Sequence, residues 1–285
     1  MTDRWFKIGL LVAPAFLITL VGGMAFTLMW GASSSFQQAG WGFYTQLTWD
    51  PVHHVYGGGV FILGSVVTTL LALCLAIPVA LAIGLFTGYY FTTGPIAVMS
   101  QWVLDLLASV PSVIFGFWGL MVMVPAVRNI EMWLGVAPYG VGLFSGSVVL
   151  ATMMIPLTAS LIRESVATVS AELKEGALAL GATPLEVVRH IVWPISLPGI
   201  GSAIMLGFGR AIGETMAVTM VVGNANHLPT HLFDPTNTIA SLIASEFGET
   251  SDPVVVAHLI HLGLILLALS LAAGMLGRYI IRKQS

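Results

Sequence analysis

Two ionisable side chains lie close together in a stretch of sequence that is otherwise apolar. Arg210 and Glu214 are four residues apart, so in a helix they lie on the same face. A guanidinium presents a planar set of donors that matches the oxygens of a phosphate-like anion, and a carboxylate beside it could hold it in place and weaken its grip on the anion. This pair could therefore bind and release an oxyanion. The structural alternative is an ion pair that lowers the cost of placing both charges in apolar surroundings.

Asp105 is a third ionisable residue in an apolar stretch. A charge at the centre of a membrane helix costs about 2.5–3.5 kcal/mol on insertion scales, so such side chains normally face protein or water. Asp105 could line the same polar path as Arg210 and Glu214. The alternative is a buried carboxylate with hydrogen-bond partners.

Three pairs of histidines have spacings that could serve a metal ion. The single cysteine, Cys74, sits inside an apolar run, where we expect a small core residue. Neither cysteines nor a consistent carboxylate partner completes a ligand set, so we expect no metal site and no cofactor. We interpret the histidines as surface or interface residues on the outer side. The pairs are His53 with His54, His227 with His231, and His258 with His261.

The polar segment 163–194 separates two long apolar runs, and its residues predict two helices. The stretch from Glu164 to Leu180 has good helix formers and no proline, and Gly181 can end that helix. Thr183 and Glu186 are three residues apart, which is the pattern of a capping box at the start of a second helix. We therefore expect a helix, a tight turn and a second short helix beneath the membrane.

The same segment contains a motif of fixed spacing. It reads Glu-Gly-Ala, three residues, Gly, nine residues, Ile-Val-Trp-Pro. This resembles the EAA loop of bacterial ABC importer permeases, which has Glu-Ala-Ala and Ile-x-Leu-Pro at the same spacing; Gly176 and Trp193 are the two departures. The resemblance implies that Glu175, Gly176, Ala177 and Gly181 contact a separate ATPase subunit, like a ball in a socket. The alternative is an amphipathic loop on the inner leaflet, where basic residues would dominate, but here acidic residues match them.

A further set of segments carries a more specific resemblance: Trp49–Pro51, Tyr56–Gly57, Val110–Gly116, Gly209–Ala217, Asp234–Ser241 and Glu246–Phe247. They look like the phosphate-specific permeases of the same family, of the PstC type. What this implies is a type I (MetI-like) importer fold, a heterodimer with a PstA-like permease, a PstB-like ATPase dimer and a PstS-like phosphate-binding protein. We assign Arg210, Glu214 and Asp105 to the translocation pathway of such a permease.

The elements that must position these residues are six apolar runs. With 57% hydrophobic and 8% charged residues in 285, the chain is far from a soluble domain, which carries about 25% charged residues. About 20 apolar residues span a membrane as a helix, and these runs are continuously apolar, which favours helices over a barrel. We therefore expect an all-α, polytopic membrane protein. The expected spans are 8–30, 61–86, 99–124, 140–162, 197–223 and 254–281.

Two units are expected along the chain. Residues 1–60 form an N-terminal transmembrane helix with an extracytoplasmic segment, and residues 61–281 form the transmembrane core, which includes the coupling loop 163–194. The first apolar run is longer than the roughly 7–15 residues of a signal peptide's apolar region, so we interpret it as a retained anchor.

The basic residues predict the orientation in the membrane. If there are six spans, nearly all of them fall on one side, and only Arg128 falls on the other. By the positive-inside rule both termini are cytoplasmic, in a bacterial cytoplasmic (inner) membrane. The residues on the inner side are Arg4, Lys7, Arg163, Lys174, Arg189, Arg278, Arg282 and Lys283.

Several function classes are disfavoured. None of the three lysines follows a glycine as the phosphate-binding P-loop requires, so the energy for transport must come from another polypeptide. The outer loops have no basic patch for nucleic acid, and no catalytic residues are expected. We predict a phosphate permease subunit that is not an enzyme. The alternatives are a permease for another oxyanion or small solute and, less favoured, an intramembrane metal-handling protein.

Prolines and aromatic residues predict local features. Pro78, Pro111 and Pro156 lie inside apolar runs and should kink or locally unwind their helices. The outer segment 37–59 is rich in aromatic residues, which we interpret as a belt at the membrane interface.

Overall fold

The computed structural model describes the backbone of residues 2–284 and the side chains of residues 10–279. Six of its helices are long and apolar enough to cross a membrane, which confirms the predicted all-α, polytopic architecture. Length and continuous apolar character are the cause, because a helix satisfies its own backbone hydrogen bonds in lipid. The spans are Leu10–Gly31, Gly59–Tyr90, Ser112–Leu134, Leu143–Ala167, Pro184–Ile212 and Pro253–Tyr279.

The described backbone contains fourteen α-helices, one short hairpin and three π-helical turns. The π-helical turns continue α4, join α6 to α7, and join α10 to α11; their bounds are Phe86–Tyr90, Gly119–Met123 and Val188–Val192. Strands β1 and β2 pair antiparallel at Trp49–Asp50 and Val55–Tyr56. The α-helices are α1 Thr2–Gly31, α2 Ser33–Ala39, α3 Gly42–Thr45, α4 Gly59–Leu85, α5 Pro95–Ser109, α6 Ser112–Trp118, α7 Val124–Leu134, α8 Leu143–Ala167, α9 Ala171–Ala179, α10 Pro184–Val187, α11 Trp193–Ile212, α12 Met216–Thr219, α13 Ile239–Glu246 and α14 Pro253–Gln284.

The expected third span, 99–124, is not one helix. Helix α5 ends at Ser109, Val110 is extended with ψ 127°, and α6 begins after Pro111. Proline disfavours helical geometry in the residue before it and removes a backbone donor, so the chain breaks there. The spanning helix is α6–α7 instead, and Asp105 lies on the separate α5. Helices α4 and α8, by contrast, run on through Pro78 and Pro156.

The expected fifth span, 197–223, is also wrong at both ends. The helix begins at Pro184, continues through a π-helical turn and ends at Ile212. Residues 213–215 then interrupt it before the four-residue helix α12. The second helix of segment 163–194 is therefore the start of this span rather than a short separate helix. The first helix is also interrupted, because residues 168–170 separate α8 from α9.

Helix α8 lies at the centre of the bundle, where it packs against α4, α11 and α5. In its most apolar stretch 67% of the residues are buried, against 33% or less in the other five spans. Small residues permit the close approach: a Cβ atom at Gly84 of α4 would lie 2.5 Å from a methyl carbon of Ile162 on α8. Glycine-mediated contacts of this kind let membrane helices pack backbone to backbone.

Three aromatic residues of segment 37–59 belong to the core and not to an interface belt, whereas Trp41 is 88% exposed. Phe43, Trp49 and Tyr56 have exposures of 0%, 6% and 6%. The His261 ring stacks on Phe43 with centroids 4.3 Å apart, and the His258 ring stacks on Tyr56 with centroids 4.1 Å apart. The segment before α4 thus folds down onto the outer end of α14, and the belt interpretation was wrong for these residues.

The two histidines of α14 are core residues, which corrects their assignment to the surface. His261 is hydrogen-bonded through Nδ1 to Ser35 Oγ at 2.9 Å and through Nε2 to Tyr44 OH at 3.0 Å. His258 donates from Nδ1 to the Val254 carbonyl at 2.8 Å. Among the described residues no group of three or more histidine, cysteine or acidic side chains could hold a metal ion.

Helix α1 is peripheral, since no residue in its most apolar stretch is buried. Its C-terminal end approaches α14, where a Cβ at Gly31 would lie 3.0 Å from a methyl carbon of Ile260. Cys74 is exposed on α4, so its interpretation as a core residue was wrong. The basic side chains of Arg4, Lys7, Arg282 and Lys283 lie outside the described part.

Candidate functional site

The segment predicted to contact an ATPase is built around a glycine turn. Helix α9 ends at Ala179, and Gly181 has φ +90°, a conformation that only glycine adopts without strain. The turn places the Ala182 N–H 3.1 Å from the Ala177 carbonyl and the Gly181 N–H 3.0 Å from that of Leu178. These bonds satisfy carbonyl groups that a helix end leaves free. The predicted stop at Gly181 is confirmed.

A capping box starts the next helix, as the sequence predicted. The Glu186 N–H donates to Thr183 Oγ1 at 3.4 Å, and the Thr183 N–H donates to Glu186 Oε2 at 2.7 Å. Gly181 and the box together fix a tight reversal between α9 and the long α10–α11 helix.

The motif residues on this reversal are open to an incoming protein. Glu175, Gly176 and Gly181 are exposed, and Ala177 is half-buried. A Cβ at Gly176 or Gly181 would meet no atom within 4 Å. Leu180, at the tip of the turn, is 92% exposed. An apolar side chain at the centre of a small exposed turn is a typical anchor for a protein contact.

Arg210 lies in the last turn of α11, where a positive charge is favoured by the helix dipole. Its side chain is exposed. Glu214 lies beyond the helix end, and its Oε1 accepts a hydrogen bond from the Ala217 N–H at 3.3 Å. Among the described side chains no ion pair joins Arg210 to Glu214. The structure therefore separates two residues that a continuous helix would have placed together.

The break between α11 and α12 frees backbone groups directly after a spanning helix. Such groups are tolerated only where protein or water can satisfy them. Gly209 and Gly213 flank Arg210, and a Cβ at either would meet no atom within 4 Å. This side of α11 is thus unoccupied by the chain itself. The adjoining side is packed, since a Cβ at Gly207 would lie 2.8 Å from Thr158 Oγ1.

Asp105 is exposed on α5, beside Trp102 and Leu106 in a shallow cavity of about 280 Å³. No hydrogen bond or ion pair joins it to Arg210 or Glu214 among the described side chains. Asp105 is not a carboxylate buried by its own chain. The three ionisable residues are therefore not one cluster in this chain.

A buried polar layer beneath the outer loop was not anticipated. Ser65 of α4 accepts the Ile239 N–H at 2.8 Å, and the Ser241 hydroxyl donates to Asn224 at 2.7 Å. Gly64 is required there, because a Cβ would overlap the Asn237 carbonyl. The stretch 234–241 carries the polar residues, but only the fold reveals that they enter between helices.

The same loop begins with an aspartate that organises a turn. Asp234 Oδ2 accepts hydrogen bonds from the Thr230 hydroxyl at 2.7 Å and from the Thr230 and His231 N–H groups, each at 2.8 Å. These bonds, that of the Thr230 hydroxyl above all, lower the pKa of Asp234 to about 2. The Asp234 carbonyl accepts the Leu143 N–H at 3.0 Å, which ties the loop to the start of α8.

Solved structures share this fold. The permease chain of the MetNI methionine ABC transporter, in an inward-facing conformation, aligns with a TM-score of 0.61 at 18% identity over 79% of this chain and 94% of its own. A chain of a bacterial alginate ABC transporter aligns with a TM-score of 0.63 at 16% identity, over 98% and 96%. At these identities the likeness shows the fold alone, which is that of ABC importer permeases.

Sequence relatives are more specific. The family profile for the inner membrane component of binding-protein-dependent transport systems matches residues 80–285. The phosphate transport system permease protein PstC of Pasteurella multocida is 36% identical over 99% of this chain and 90% of the relative. Its namesake from Haemophilus influenzae is 37% identical over 93% and 88%. The chain therefore belongs to the binding-protein-dependent inner membrane transport components, and within them to the PstC-type permeases, multi-pass proteins of the inner membrane.

Proposed function

We propose that this chain is the permease subunit of an ATP-driven phosphate importer and forms half of its translocation pathway. The observation that carries the proposal is the end-to-end similarity to permeases named for phosphate transport, at 36% identity over 99% of the chain. The exposed coupling reversal supports it, because a permease without its own nucleotide site needs a docking element. ATP is hydrolysed by a partner subunit.

The complex has four kinds of subunit. A PstA-like permease pairs with this chain, a PstB-like ATPase dimer binds the cytoplasmic reversal at Glu175–Gly181, and a PstS-like protein delivers phosphate to the outer loops. Both termini are cytoplasmic, which puts α9 on the same side as the ATPase. Residues 1–60 and 61–281 serve as accessory and core units. Exposed large apolar side chains on α5 and α6, such as Trp102 and Phe117 at 67% and 56% exposure, support contacts with lipid and with the second permease.

In the pathway Arg210 binds the oxyanion. Its exposed guanidinium is flanked by glycines with open space, so an anion or a second permease can approach it. Glu214 holds the start of α12 and adds a negative charge near Arg210, which prevents tight retention, since a permeation site must release its ligand. Asp105 contributes a second carboxylate to the wall of the pathway.

Co-purification tests the assembly. The tagged chain is extracted in mild detergent with its natural partners, which are identified by mass, and ATP hydrolysis is then measured with binding protein loaded with phosphate, sulfate or no anion. We expect an ATPase and a second permease in the complex, and stimulation by phosphate. If another solute stimulates ATP hydrolysis instead, that solute and not phosphate is the substrate. If no ATPase co-purifies, the chain is not part of an importer.

A further inference from the structure

Helix α9 rests on the rest of the chain through one narrow face. Of its residues only Lys174 and Ala177 are partly buried, and all the others are exposed. These two are three positions apart and therefore neighbours on the same side of the helix. Ala177 adds a methyl group to the inner hydrophobic cluster. Lys174 is thus the only long side chain that α9 directs at the core.

Lys174 reaches an aromatic ring. Its Nζ lies 5.9 Å from the centroid of Tyr89, within the range of about 6 Å for a cation–π contact. Among the described side chains it forms no ion pair. Burial lowers the pKa of Lys174 below its ordinary value, so the ammonium is partly desolvated, a condition that strengthens attraction to a ring.

Tyr89 packs against the same hydrophobic cluster as Ala177. It belongs to the π-helical turn at the inner end of α4, and π-helical turns are frequent at functional sites. Its neighbour Gly88 packs directly on α8, because a Cβ there would lie 2.9 Å from both the Arg163 carbonyl oxygen and Val166 Cβ. A force on this residue therefore acts where α4 is packed against the central α8.

The covalent connection of α9 to α8 is not helical. Residues 168–170 link the two helices, whereas the tight turn around Gly181 links α9 to α10. A movement of α9 therefore need not reach α8 through the backbone. The Lys174–Tyr89 contact offers a direct route from the exposed coupling surface to two spanning helices.

We propose that Lys174 is a positioning residue that transmits movement of α9 through Tyr89 to α4 and α8. The inference rests on the proposed function, in which an ATPase moves α9. It adds two residues to the coupling machinery, since neither Lys174 nor Tyr89 is a fixed position of the EAA-like motif. The ATPase contacts the exposed face of α9, and Lys174 transmits the resulting movement toward the core.

The test uses the whole complex in proteoliposomes and measures phosphate taken up per ATP hydrolysed. Tyr89→Leu removes the ring, and Tyr89→Phe, the matched control, keeps it. We expect Tyr89→Leu and Lys174→Met each to lower this ratio about three- to tenfold, the size expected of one cation–π contact. Both variants keep the ATPase attached, Tyr89→Phe stays near wild type, and the double variant is no worse than the more affected single one.

Three outcomes would overturn the transmission role. They are a wild-type ratio in Tyr89→Leu, an equal loss in Tyr89→Phe, or release of the ATPase from the complex, which would make the contact a docking element. A wild-type complex that moves no phosphate contradicts the proposed function instead. The two failures are therefore distinguishable.

Discussion

The guanidinium of Arg210 is exposed at the end of a spanning helix, with no acidic partner among the described side chains. Such a charge needs water, an anion or a second protein opposite it. The sequence identified the residue from its type and its apolar surroundings. It could not reveal that Glu214 lies past the helix end, because the break at residues 213–215 is set by how α12 packs, and Gly213 alone does not dictate it.

We expect Arg210→Gln to reduce ATP-driven phosphate uptake by about tenfold or more, since a hydrogen bond to a charged group contributes about 1.5–3 kcal/mol. Uptake by proteoliposomes measures this, and co-purification checks that assembly is intact. Arg278→Gln, an exposed arginine near the inner end of α14, is the control and should transport normally. Wild-type uptake in a correctly assembled Arg210→Gln complex would remove the anion-binding role.

Glu131 is a second residue with a distinct role. Its side chain is fully buried, and Oε2 accepts the Gly140 N–H at 2.6 Å. Gly140 has φ +72°, so the bond fixes a left-handed turn between α7 and α8. Truncating the Glu131 side chain would leave the buried Gly140 N–H without its acceptor.

Glu131→Ala should therefore lower the free energy of unfolding by about 1–3 kcal/mol. Denaturant unfolding in detergent micelles measures this free energy. Glu131→Gln keeps an oxygen acceptor and should lose much less. If both variants unfold with the same free energy as the wild type, the hydrogen bond does not stabilise the turn.

Asp234 predicts a pH dependence in the outer loop. Its pKa falls from 3.8 to about 2 in the folded chain, chiefly through the Thr230 hydroxyl. The sign follows from linkage: the folded state favours the ionised carboxylate, so the stabilisation is complete above pH 3.8 and disappears as the pH falls through about 2.

Melting temperatures of wild type and Asp234→Asn should thus differ most above pH 4 and converge as the pH approaches 2, a window that follows from the two pKa values. Intrinsic fluorescence in detergent can follow both proteins. A melting-temperature difference that stays constant across this window would contradict the assigned hydrogen bonds.

At the scale of elements, the reversal between α9 and α10 was the part that local chemistry determines. Gly181 and the Thr183–Glu186 pair act within a few residues, so their effect is visible in the sequence. The outer aromatic segment was not predictable in this way. Phe43 and Tyr56 look like interface residues until α14 brings His258 and His261 beneath them. Tertiary contacts, which a single sequence does not display, decide between the two environments.

Two glycine substitutions form a matched pair. Gly181→Ala places a side chain at φ +90°, which costs roughly 1–2 kcal/mol in a left-handed conformation. Gly274→Ala makes the same change in the interior of α14, away from the reversal, where alanine is favoured by about 0.5–1 kcal/mol. We expect the first to weaken ATPase attachment several-fold and the second to leave it unchanged. Pull-down of the ATPase in detergent checks both, and equal binding by Gly181→Ala would show that the turn geometry does not control docking.

At the scale of the whole molecule, hydropathy predicted the number of spans correctly, because each of the six apolar runs can satisfy its own backbone hydrogen bonds in lipid as a helix. It misplaced two of them, since Pro111 interrupts one apolar run, and the fifth helix begins in a polar segment at Pro184. The proposed pathway would be incomplete in one chain. Arg210 and Asp105 both face away from their own bundle, which is the arrangement expected if a second permease closes the other half.

The most direct test is phosphate transport by the complete complex. Proteoliposomes containing this chain, its permease partner and the ATPase are supplied with ATP on the ATPase side and with phosphate-loaded binding protein on the other, and radiolabelled phosphate inside the import compartment is counted. We predict phosphate uptake that requires both ATP and the binding protein and that sulfate does not inhibit. Absence of ATP-dependent phosphate uptake in an intact complex that hydrolyses ATP would contradict the account.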